Sequence, residues 1–147
     1  GILKSNKTLQ PQTKYKFQIN RRQKMRSVIS ENAPKGHYSA GVISGNTLYI
    51  SGQTSADPTT GKPAEGGFAQ EMTMALLKME SVLKAAGCAR EDVLMCQVYI
   101  ADMSLWESAN QVYAEFFGSH KPARIVLPVP PLSNGCQVEL TAIAEVK

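Results

Sequence analysis

The stretch His120-Lys-Pro-Ala-Arg-Ile-Val-Leu-Pro-Val-Pro-Pro-Leu-Ser-Asn-Gly-Cys-Gln-Val-Glu139 decides how the last third of the chain is arranged. Arg124 opens an apolar run (Ile125, Val126, Leu127, Val129) that reads as a strand buried on at least one face. A guanidinium beside such a run needs an anionic partner, because an unpaired buried charge is costly. That partner is either a carboxylate of the protein or the carboxylate of a bound ligand. A second run, Gln137 to Val146, predicts another strand, and Ser133-Asn134-Gly135 between the two reads as a hairpin turn. With that turn Arg124 pairs near Glu145 and Glu139 near Pro130. Arg124 and Glu139 are then about six residues apart along the sheet, roughly 20 Å. They would not form an ion pair within one chain, and acting together would require a subunit interface.

Upstream, residues 67–86 predict a helix. Phe68, Met72, Ala75, Leu76, Met79, Leu83 and Ala86 recur at intervals of three and four, and Gly87 stops the run. The methionines fit a core stripe. Val93 to Ile100 reads as a strand. A second helix follows, with Ser104 and Glu107 as a capping box and Gly118 as its stop. It carries a core stripe (Leu105, Ala109, Val112, Phe116) and an adjacent face (Trp106, Asn110, Tyr113, Phe117) that meets a ligand pocket or another subunit. Earlier still, Ser27 to Ser30, Tyr38 to Ile43 and Thr47 to Ser51 read as strands, the last two joined by Ser44-Gly45-Asn46. Gly52 permits close backbone approach. The expected order is βββαβαββ: one α+β domain, a mixed sheet of about six strands with two helices on one face.

Composition narrows the function classes. A length of 147 residues, 43% hydrophobic and 19% charged, suits one globular domain. No apolar run reaches the roughly 20 residues of a membrane span, and no secretory signal is evident. Cys88, Cys96 and Cys136 have no metal spacing with His37 and His120, so reduced thiols and no metal are expected. Residues 1–24, and Met25 with them, contain seven basic residues and no acid. Residues 26–147 hold nine basic and twelve acidic residues, a net charge of −3, so the body offers no basic groove. The chain therefore divides into a basic extension, 1–24, and a domain, 25–147. The extension reads as a passive, docked addition, with a targeting peptide or a nucleic-acid arm as alternatives. A cytoplasmic location is expected, or a mitochondrial one if the extension is a native presequence.

Several motifs together resemble the YjgF/Rid family, whose members also carry the names L-PSP endoribonuclease and translation inhibitor. They are Gly36-His-Tyr-Ser, Ser51-Gly-Gln, Asp57-Pro-Thr-Thr-Gly, His120-Lys-Pro-Ala-Arg and Gln137-Val-Glu-Leu-Thr-Ala-Ile-Ala. The likeness spans residues 25–147. It implies a chorismate-mutase-like fold, a homotrimer with clefts between subunits, and hydrolysis of enamine/imine intermediates such as 2-aminoacrylate to 2-keto acids and ammonia, without cofactor or metal. By the same resemblance Arg124 holds the substrate carboxylate, a task suited to a planar bidentate fork. Glu139 is the acid near the attacking water. Tyr38, Ser51, Gly52, Asn110 and Tyr113 fall at pocket positions, with the Gly52 amide and Ser51 hydroxyl as donors and the Val126 carbonyl helping to hold water.

The chain departs from the family pattern at His37, Ile125, Val126, Pro130-Pro131 and Thr141, which bears on substrate range. Two other functions compete. One is an endoribonuclease acting on RNA, prompted by the family's second name and the basic extension. The other is a non-catalytic trimer that binds small carboxylates.

Overall fold

The computed structural model describes residues 25–147, so the expectations for the basic extension lie outside the described residues. The elements follow in the expected order: β1 (Arg26–Val28), β2 (Gly41–Ser44), β3 (Thr47–Thr54), α1 (Phe68–Ala85), β4 (Val93–Ile100), α2 (Trp106–Phe117), β5 (Ala123–Pro128) and β6 (Val138–Glu145). All six strands form one mixed sheet in the order β1-β2-β3-β6-β4-β5. Alternation along the central strands sets the core face. Leu48 and Ile50 of β3, Cys96, Val98 and Ile100 of β4, and Leu140, Ala142 and Ala144 of β6 are buried. Met72, Leu76, Met79 and Leu83 of α1 and Ala109, Tyr113 and Phe117 of α2 complete that core. Each large side chain so enclosed contributes about 1.5–3 kcal/mol. The opposite face carries Tyr49, Ile125 and Leu127, which are 50%, 39% and 43% exposed in a single chain.

The expected hairpin between β5 and β6 does not form. β5 runs parallel to β4, with Arg124 opposite Cys96, whereas β6 is inserted antiparallel between β3 and β4. Pro130 and Pro131 bear on the departure, since residues without an N–H cannot continue a two-strand ladder toward the turn, whereas Pro128 ends β5 opposite Ile100. Ser133–Gly135 is instead a 3-10 turn with Asn134 at φ 58°.

Two further expectations are corrected around α2. Its entry is capped by Asp102, whose Oδ1 accepts from the Ser104 amide at 2.8 Å ahead of a 3-10 turn over Met103–Leu105. The capping box of Ser104 and Glu107 is absent because the α-helix proper begins only at Trp106. The helix is also rolled relative to the expected stripes. Ala109, Tyr113 and Phe117 are its buried residues, while Phe116 lies under the Arg90 guanidinium, 3.8 Å from the ring centroid.

One buried carboxylate ties the layers together. Glu71, in the first turn of α1, accepts from Ser55 Oγ at 2.7 Å, from the Gln137 amide at 3.0 Å and from Gln137 Nε2 at 2.5 Å. It thereby anchors the exit of β3 and the entry of β6 to one helix end, where the dipole also favours a negative charge.

Candidate active site

Arg124 and Glu139 stand on strands separated by β4. The register aligns Arg124 with Cys96 and Glu139 with Tyr99, an offset of three residues, or about 10 Å along the sheet. Arg124 shares the core-facing side of its strand with Cys96, whereas Glu139 alternates with the buried Val138 and Leu140 and belongs to the other side. The separation differs from the hairpin estimate, yet no ion pair of the described residues includes either side chain.

Arg124 borders a cavity of about 300 Å³ with Asn110, Tyr113, Phe117 and His120. Its Nη1 donates to Asn110 Oδ1 at 3.0 Å, and its guanidinium lies 4.8 Å from the Tyr113 ring centroid and 5.9 Å from that of Trp106. The rings and the amide fix the plane of the fork while using one of five N–H donors. Among the described residues the buried Tyr113 hydroxyl has no hydrogen-bond partner. Burial holds its phenol above the ordinary value, the nearby Cys96 adds to this, and Arg124 opposes it. Beneath, burial pushes the Cys96 thiol up to about 12, so it stays protonated and serves as packing. Val126, two residues beyond Arg124 on the same face, packs against the core.

Glu139 borders a different cavity, of about 680 Å³, with Tyr38, Gly52, Gln53, Thr54 and Lys78. Here β3 carries a bulge: Ile50 pairs with Ala142 and Gln53 with Leu140, leaving one extra residue in the Ser51-Gly52 step. A Cβ added to Gly52 would collide with the Glu139 carboxylate, so the close approach expected of this glycine is made to the protein's own acid. Tyr38 is 57% exposed at the rim. Ser51 differs from expectation. Its hydroxyl donates to the Ser39 carbonyl at 2.6 Å and so spends its proton within the protein. Among the described residues no cluster of three or more His, Cys, Asp or Glu side chains is arranged to hold a metal ion.

The expected site residues thus fall into two sets: Arg124, Asn110, Tyr113 and Val126 on one side, and Tyr38, Ser51, Gly52 and Glu139 on the other. Sequence reasoning passed over Lys78, whose ammonium donates to the carbonyls of Thr54 at 2.9 Å and Ala56 at 3.0 Å beside the second set. Its one signal was a cation bordering the apolar arc of α1.

Comparison with known proteins follows the same lines. The family model for endoribonuclease L-PSP matches residues 28–146. A RutC family protein of Pyrococcus horikoshii is 41% identical over 119 residues, covering 80% of this chain and 94% of that protein. The 2-iminobutanoate/2-iminopropanoate deaminase of Homo sapiens is 39% identical over 109 residues, covering 74% of this chain and 80% of the relative. Among solved structures, the YjgF gene product of E. coli aligns with a TM-score of 0.76 at 30% identity, covering 83% of this chain and 99% of that one. E. coli TdcF, solved with bound serine, aligns with a TM-score of 0.76 at 28% identity and the same coverage. Motifs, topology and identity agree: the chain belongs to the endoribonuclease L-PSP family, the YjgF/Rid group.

Proposed function

We propose that the protein hydrolyses reactive enamine/imine intermediates of the 2-aminoacrylate type to 2-keto acids and ammonia, in clefts formed between the subunits of a homotrimer. The observation that carries this reading is the division of the site. Among the described residues a fork that donates only to Asn110 and a buried phenol without a hydrogen-bond partner stand on one side of the fold, and a carboxylate packed over a glycine stands on the other. A second copy that brings its Glu139 to the first copy's Arg124 would complete one site and cover the open apolar face. Human and bovine relatives named for deamination of 2-iminobutanoate and 2-iminopropanoate support the chemistry, and the serine in TdcF supports a small ligand bearing a carboxylate.

In this mechanism Arg124, its plane fixed by Asn110 and Tyr113, holds the substrate carboxylate by two charge-assisted hydrogen bonds. The imine carbon then faces the neighbouring copy. Glu139 of that copy orients a water molecule and accepts its proton as the oxygen attacks the C=N carbon. The proton passes to the nitrogen, giving a carbinolamine; the proton of its new hydroxyl then moves by way of Glu139 to the amino nitrogen, the C–N bond breaks as the C=O bond forms, and ammonia and the 2-keto acid leave. Hydrogen bonds to a charged group contribute about 1.5–3 kcal/mol each, so the two-bond grip accounts for a large share of substrate positioning.

Complementation tests both the chemistry and the division of labour. R124A and E139A are each expected to be inactive in accelerating keto-acid release downstream of a serine or threonine dehydratase. Trimers reassembled from an equal mixture are expected to recover about a quarter of wild-type activity, because one cleft in four then pairs an intact Arg124 with an intact Glu139. An inactive wild type rejects the deaminase. No recovery on mixing rejects the shared cleft. RNA cleavage, suggested by the family description, is the second reading. The excess of acidic over basic residues in 26–147 opposes it.

A further inference from the structure

Lys78 is a half-buried cation that the hydrolysis above does not use. It projects from α1 to the end of β3, where its ammonium donates to the carbonyls of Thr54 and Ala56. Thr54 is the register partner of Glu139, and Lys78, Gly52 and Glu139 line one cavity. An ammonium carries three donors. Two are fixed by carbonyls on either side of Ser55, and no hydrogen bond or ion pair among the described residues takes the third.

The groups facing this ammonium come from several elements. Glu139 belongs to β6, Cys136 to the turn before it, and Asp57 to the loop after β3. Glu31 and Lys35 border the same cavity from the loop after β1. Burial lowers the pKa of the amine, and Cys136, Glu139 and Asp57 oppose that effect. The two carbonyl acceptors also favour the charged form. A neutral side chain at this position could satisfy one of the carbonyls, but it would supply no field to the carboxylate across the cavity.

We infer that Lys78 is a positioning residue of the proposed hydrolysis, clamping the end of β3 beside the bulge and holding a fixed positive charge toward Glu139, so that the carboxylate keeps the orientation from which it directs water. The inference rests on the deaminase reading. Lys78 touches no substrate in it, since the substrate is gripped by Arg124. Loss of Lys78 should therefore act on turnover more than on binding.

The test measures kcat and KM for keto-acid release by wild type, K78M, K78Q and K78R, with thermal melting of each. In K78M and K78Q, kcat is expected to fall about tenfold while KM stays within about twofold, the pattern of a displaced catalytic group with intact substrate binding. K78R, which restores both charge and donors, is expected to return kcat to within about threefold of wild type. A merely structural brace would lower the melting temperature without this split. Folded K78M or K78Q with wild-type kcat overturns the inference, and so does a loss expressed in KM, or K78R as impaired as K78M. If K78M does not fold, K78Q, whose amide NH2 keeps donors for the carbonyls, decides. An inactive wild type overturns the deaminase and this inference together. An active wild type with an unimpaired K78Q overturns this inference alone.

Discussion

Gly52→Ala isolates the contact between the bulge and the carboxylate. The added Cβ would lie 3.2 Å from Glu139 Cδ and 3.6 Å from its Cγ, and it would overlap Oε1 outright. Carbon–carbon contacts are optimal near 3.5–4.0 Å, so the Cγ position is acceptable while the carboxylate must swing away by about 1 Å. The backbone at Gly52 is not in the left-handed region, and the position is exposed on one side, so alanine is tolerated there. Reduced freedom of the unfolded chain even contributes about 0.4–1 kcal/mol in its favour. The expected result is a melting temperature within about 5 °C of wild type together with a fall in kcat of roughly 10²-fold, the effect of a misplacement of about 1 Å in a catalytic group. KM should change little, because Arg124 lies on a different part of the fold. The assay is keto-acid release coupled to a dehydratase, alongside calorimetry of the same sample. Wild-type kcat in a folded G52A protein would refute the reasoning, since the carboxylate would then work equally well from a displaced position.

Other perturbations test the remaining parts of the account. R124K keeps the charge but loses the planar fork, so kcat/KM should fall about 10-fold or more, with R124A lower still; steady-state kinetics on both variants measures the difference. The Glu80 carboxyl is held below its ordinary value of 4.5, first by the hydrogen bond from Arg90 and also by the charges of Arg90 and Lys84. A carboxylate lowered in the folded state stabilises above its unfolded value, and that contribution is lost as pH falls through the folded one. The stability gap between wild type and E80Q, measured by urea unfolding, should therefore be full near pH 7 and shrink below about pH 4.5. R90M, which removes the cation from Glu80 and the donor from the Phe116 carbonyl, should cost about 1–3 kcal/mol at pH 7 in the same assay. E71A leaves the Ser55 hydroxyl and both Gln137 donors without their acceptor, and should lower stability by about 3 kcal/mol or more, read as a shift in the unfolding midpoint.

Elements set by local periodicity were legible in the sequence. The stripe of Met72, Leu76, Met79 and Leu83 fixed α1 to within a residue at each end, and Val93–Ile100 was read with its observed bounds. Pairing was not legible, because it depends on contacts distant in sequence. The Ser133-Asn134-Gly135 turn looks the same whether it closes a hairpin or carries the chain across the sheet, and only Pro130 and Pro131 argue for the second. The roll of α2 was misread for a related reason. Both of its stripes contain aromatic residues, so the pattern does not say that Tyr113 and Phe117 take the interior while Phe116 sits at its edge beneath Arg90. For the site, Arg124, Asn110 and Tyr113 border one cavity, while Tyr38, Gly52 and Glu139 border another. The hydroxyl of Ser51 did not remain free, because the Ser39 carbonyl lies within its reach. Lys78 escaped notice because a cation at the border of an apolar arc looks the same in sequence whether it is bonded to two carbonyls or reaches water.

The place of β6 in the sheet has a bearing on biosynthesis. It is the last of the described strands, yet it lies between β3 and β4 and hydrogen-bonds to both. While the ribosome is still making the chain, those two strands have no common neighbour, and each presents an unpaired edge of the kind that recruits foreign strands. Closure waits until β6 is free to pair with both. A chain interrupted before Val138 would carry every other described element and still present both open edges.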